Sequence, residues 1–188
     1  MDLISKWANH DMSIRGRDNL ASSDKMWSTA FINLQNKKDD LEFQPYIVKP
    51  NTLLYRVHIG GNDEPDYDLY DDRGKYQDEE FAYKYNEWLD ENNLKTIRFD
   101  NHWVSFTKCV DVIGSNYFGE KGRRGFVIVI SSNKAVDISS ESPVKAEEQE
   151  VVAPMDEKTV VDILPFKYFM DKYGTGNSEY EKREAEII

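Results

Sequence analysis

"AEEQEVVAP", residues 146–154, sets Glu147, Glu148, Gln149 and Glu150 directly against an apolar run that ends in proline. The run 150–154 has the composition of a buried strand. Burying an unpaired carboxylate costs several kcal/mol. A glutamate entering such a strand therefore either faces water or has a task. Glu148 and Glu150 lie two positions apart, so a strand through both would point them to the same face.

Further strands are expected on both sides of this stretch. "TLLYRVHIG" (52–60) is rich in β-formers and ends in two glycines, "HWVSFTK" (102–108) is a short strand, and "RGFVIVISS" (124–132) is the most apolar run and hence a central strand. "AVDIS" (135–139) is another, followed by a Ser/Glu/Pro loop over 139–145, and "KTVVDILPFKYFMDKYG" (158–174) completes a β-rich C-terminal half. Residues 3–38 have helical spacing, with Ser22 or Ser23 as the cap of a second helix. "DEEFAYKYNEWLDENN" (78–93) is an amphipathic helix with Phe81, Tyr85, Trp88 and Leu89 on one side. Helices first and strands later, without βαβ alternation, predict an α+β fold with a mainly antiparallel sheet. The expected organisation is one domain over 1–188, with helices over 1–45, a β-rich core over 46–175 and a mobile tail over 176–188.

The chain has 188 residues, 39% of them hydrophobic and 13% aromatic, which suits one folded domain rather than a disordered chain. Between Asn62 and Glu91 twelve acidic side chains stand against three basic ones, so this stretch carries nine of the eleven net negative charges. Such a balance gains nothing from counterion release on a phosphate backbone, and nucleic acid is not an expected partner. "DEPDYDLYDD" lacks the glycine and terminal glutamate of a calcium loop. His10, His58 and His102 have no ligand-like spacing, so no metal is expected. The only cysteine, Cys109, forms no internal disulfide, and the four tryptophans read as core. No apolar run approaches a membrane span and the N-terminus lacks an apolar leader, so no membrane is expected. The expected location is the cytoplasm, including that of a host or target cell.

Three segments carry the chemistry: Tyr55-Arg56 within the first strand, Ser105-Phe106-Thr107 within the second, and Glu148-Gln149-Glu150 ahead of Val151-Val152-Ala153-Pro154. Taken singly, each has an ordinary explanation as an edge arginine, a strand-face hydroxyl pair or solvent-facing carboxylates. Taken in order, they resemble the arginine-serine-glutamate group of mono-ADP-ribosyltransferases, which includes bacterial toxins and phage host-modifying enzymes. The resemblance covers residues 52 to about 165, and its third segment is the most specific.

The resemblance implies a split β-sandwich enclosing an NAD cleft, with NAD as co-substrate, and transfer of ADP-ribose to an arginine of a target protein with release of nicotinamide. It makes Glu150, Glu148, Ser105 and Arg56 the catalytic candidates, and Tyr55, Arg56, Val57, Ser105, Thr107, Phe118 and Arg123 the NAD-binding ones. Glu150 would stabilise the positive ribose that develops when the nicotinamide bond breaks. Arg56 would take the phosphates, Ser105 would hydrogen-bond and orient Glu150, and Thr107 would shape the nicotinamide side. Glu148 points to arginine as acceptor, since a second carboxylate orients and deprotonates a guanidinium.

"GSNYFGEKGRRG" (114–125) stands where the family has its phosphate and nicotinamide loop, and a plain hairpin loop is the alternative. Segment 139–147 stands in place of the acceptor-recognition loop. The expected partner is a protein carrying the acceptor arginine, with an inhibitory antitoxin or immunity partner also open. Alternative readings are an NAD glycohydrolase with the same site and a non-enzymatic acidic binding or mimic protein. Nucleic-acid ADP-ribosylation would need a local basic patch such as Lys121, Arg123 and Arg124.

Overall fold

The computed structural model describes residues 2–9, 20–59, 83, 87, 97–115 and 125–187. Among them the elements are α1 (Asp2–Ala8), α2 (Leu20–Asn36), β1 (Leu53–Ile59), β2 (Trp103–Thr107), α3 (Val110–Ile113), β3 (Gly125–Ser131), β4 (Val136–Asp137), α4 (Pro143–Glu148), β5 (Glu150–Pro154), β6 (Val160–Pro165), α5 (Phe166–Tyr173) and α6 (Glu179–Ile187). The protein is α+β, and its residues fall into two compact units.

The first unit comprises 1–54, 99–108 and 130–159. Its strands run in the order β4–β5–β2, with β5 antiparallel to both neighbours. All five residues of β5 are buried, which is why this strand is continuously apolar after its first position rather than alternating. Helix α2 covers β2: Trp27 is fully buried, stacks on Trp103 at 6.0 Å and receives Trp7 of α1 edge-on at 5.3 Å. Leu3, Ile4, Leu34, Val136, Ile138 and Val152 complete this core.

Asp24 fastens the helix to the start of the strand by accepting from the Trp103 amide at 2.9 Å and from His102 Nδ1 at 2.5 Å. The hydrogen bond to Asp24 raises the His102 pKa above its ordinary value, against a smaller effect of burial. A raised folded-state pKa means stability that is fully present below the unfolded value of about 6.5 and lost as pH rises through the folded value. Urea midpoints measured upward from pH 5.5 are expected to fall for the wild type and to lose this component in His102→Gln. Identical pH slopes would contradict the contact.

The second unit comprises 55–98, 109–129 and 160–188, with strands in the order β1–β3–β6. Tyr55 of β1 is buried against Phe169 at 5.4 Å and Tyr173 at 5.9 Å, both on α5. Segment 158–174, expected to complete a β-rich half, changes at Pro165 from β6 into α5. Phe166, Phe169 and Met170 then recur at helical spacing and are buried. The tail forms α6. Ser178 and Glu181 cap it reciprocally, and Tyr180 is buried against Phe166 at 4.8 Å.

The Tyr180 amide donates to the Gly114 carbonyl at 2.8 Å, and a Cβ added at Gly114 would meet Ser178 Cβ at 2.5 Å. Gly114→Ala is therefore expected to destabilise by roughly 1–3 kcal/mol, read from urea unfolding. A neutral substitution would mean that α6 is not packed there.

Other expectations shift as well. Helix α2 begins at Leu20, so Ser22 and Ser23 lie inside it and Ser23 is buried rather than capping. The expected loop 139–145 gives way to α4 at Pro143. The expected helix 78–93 and the acidic stretch 62–91 lie outside the described residues except Tyr83 and Glu87, which are helical and exposed. Trp88 and His10 also lie outside them. Among the described residues no helix is long and apolar enough to cross a membrane, and no group of three or more His, Cys, Asp or Glu side chains is placed to hold a metal ion.

Candidate active site

Antiparallel register decides which side chains meet. Thr107 lies opposite Glu150 and Ser105 opposite Val152, so Ser105 and Glu150 are diagonal neighbours on one face of the β2–β5 pair. Ser105 Oγ donates to Glu150 Oε1 at 2.5 Å. The Lys108 amide donates to the Gln149 carbonyl and the Ile138 amide to the Glu150 carbonyl, so the backbone at the strand's entry is held from both sides.

Glu148 and Glu150 do not share a strand. Glu148 ends α4, Gln149 takes a left-handed conformation (φ 50°, ψ 44°), and β5 starts at Glu150. Strand alternation therefore does not align the two carboxylates. Lys145 does: its ammonium is 2.9 Å from Glu150 Oε2 and 3.1 Å from Glu148 Oε2. The Glu150 and Lys145 side chains are only 6% and 5% exposed, whereas Glu148 is 39% exposed.

Lys145 Nζ lies against Oε2, an oxygen buried from solvent. Burial pushes the Lys145 pKa down; its pairing first with Glu150 and then with Glu148 outweighs this and holds it above the ordinary value. The lysine thus remains a cation between two carboxylates.

Helix α4 positions Lys145. Ser142 Oγ accepts the Lys145 amide at 3.2 Å as the N-cap, and Pro143 occupies the first turn. Thr107 Oγ1 donates to the Glu148 carbonyl at 2.8 Å and ties the far end of α4 to β2. Lys145 was not among the expected site residues, although the Ser142-Pro143 dipeptide was a readable helix start.

Within the first unit the structure brings together Ser105, Thr107, Glu148 and Glu150. Tyr55, Arg56 and Val57 belong to the second unit. There Arg56 and Val57 are half-buried on β1. Burial, reinforced by the Arg56 charge, pushes the His58 imidazole down to about 4, so it is neutral near pH 7. Tyr55 is core in that unit, and burial followed by the Cys109 charge pushes its hydroxyl up. Phe118, Arg123, Tyr117, Lys121 and Arg124 lie outside the described residues.

A cavity of about 630 Å³ lies elsewhere in the first unit, along α2 beside Leu3, Met26, Ala30, Leu34 and Phe43, and no expected site residue lines it. Comparison with protein-family models, curated proteins and solved structures returns no match to this chain.

Proposed function

We propose that this protein is a mono-ADP-ribosyltransferase that cleaves NAD at its nicotinamide bond and attaches ADP-ribose to an arginine of a target protein. The observation that carries the reading is the 2.5 Å hydrogen bond from Ser105 to Glu150, a buried carboxylate at the mouth of β5. A fixed, desolvated carboxylate interacts most strongly with charge that appears only in the transition state.

In the proposed reaction the bond from ribose C1′ to the nicotinamide nitrogen breaks, and its electron pair leaves with nicotinamide, which departs neutral. Glu150 stabilises the oxocarbenium-like ribose. The acceptor guanidinium nitrogen attacks C1′ and gives up a proton to Glu148.

Glu148→Gln tests the division of roles. Transfer to an arginine acceptor is expected to fall by about 10²-fold, the scale of a lost general base, with nicotinamide release into water retained. Equal loss of both activities would contradict the assignment.

A second reading is favoured by the Lys145 contact: Glu150 as the buried partner of a structural ion pair fastening α4 to the sheet. That reading leaves NAD turnover absent, and the same nicotinamide assay separates it from the first.

A further inference from the structure

The two oxygens of Glu150 have different keepers. Ser105 Oγ holds Oε1 by a hydrogen bond, while Lys145 Nζ faces Oε2 at 2.9 Å. One hydrogen bond to one oxygen leaves the terminal carboxylate torsion broad. A contact on the second oxygen fixes the plane. The same ammonium reaches Glu148 Oε2 at 3.1 Å, so one cation sets both the orientation of Glu150 and its separation from Glu148.

Lys145 is itself held by the Ser142 cap of α4 and is almost wholly buried, so its head group has little freedom to wander. It lies three residues before Glu148 and five before Glu150. The helix and the left-handed Gln149 fold this short segment back on its own lysine.

We propose that Lys145 is a positioning residue of the reaction: it locks the plane of the Glu150 carboxylate and its spacing to Glu148, without binding NAD itself. This rests on the reading that Glu150 stabilises the cleaving ribose. The contact of Glu150 with developing charge exists only in the transition state, so loosening the carboxylate lowers kcat and spares the KM for NAD. An ion pair that merely stabilises the fold would not divide the two constants in this way. Arginine at 145 retains the cation and spans both carboxylates with its planar fork, whereas methionine retains length and loses charge.

The experiment measures steady-state nicotinamide release from NAD by wild type, Lys145→Met and Lys145→Arg, with near-UV circular dichroism on each. The folded Met variant is expected to lose about tenfold or more in kcat with KM within about twofold, and the Arg variant to recover to within about threefold of wild type. If Lys145→Met does not fold, Lys145→Gln replaces it with the same expectation. A folded Met or Gln variant with wild-type kcat overturns the proposal while leaving the Glu150 assignment standing. So does an Arg variant that folds yet loses as much kcat as the neutral one. Absence of nicotinamide release by the wild type overturns the Glu150 reading, and the positioning role falls with it.

Discussion

Glu150→Gln is expected to lower nicotinamide release from NAD by about 10²–10³-fold, the scale of removing one fixed electrostatic stabiliser from a desolvated site. The amide preserves the volume of the side chain and can still accept from Ser105 Oγ, so the geometry of β5 is retained and only the charge is lost. Lys145 still has Glu148 within 3.1 Å, so the substitution does not strand an unpaired buried cation. The loss should therefore appear in kcat, with unfolding midpoints close to wild type. A Gln variant that keeps the fold and near wild-type turnover would remove Glu150 from the chemistry.

Lys145→Met is expected to destabilise the protein by about 3–5 kcal/mol, because it leaves Glu150 buried without its counter-charge. The driving quantity is burial: with its side chain only 6% exposed, Glu150 does not fall back on solvent when the lysine is gone. For a chain of this length such a loss lowers Tm by roughly 10 °C. Adding Glu150→Gln to the Met variant removes the stranded charge, so the double variant should be markedly more stable than Lys145→Met alone. Additive losses would mean that the two side chains are not coupled.

The strands were legible in the sequence because their cues are local. Apolar, β-branched runs at 52–60, 102–108 and 124–132 correspond to β1, β2 and β3 within about a residue at either end, and 150–154 is β5. The Ser105–Glu150 contact depends on register between strands 45 positions apart, which one sequence does not encode locally; only the resemblance pointed to it.

Helices α4, α5 and α6 were obscured for different reasons. In α4 a polar Ser/Glu/Pro composition hid the cap formed by Ser142 and Pro143, and with it Lys145. In α5 the aromatic-rich composition suits a strand as well as a helix, and only the spacing of Phe166, Phe169 and Met170 separates the two. In α6 a polar composition concealed both the Ser178–Glu181 cap and the anchor Tyr180. The shared face expected of Glu148 and Glu150 failed because a left-handed residue at Gln149 is permitted but not announced by its neighbours.

The central claim is tested most directly by incubating the wild-type protein with NAD labelled on its adenylate half, in cell lysate and in buffer, while following free nicotinamide and label on macromolecules together. The expected result is nicotinamide release accompanied by label on a protein band that survives RNase and is lost with Glu150→Gln. No NAD turnover in either sample would contradict the claim and leave Glu150 as the structural partner of Lys145.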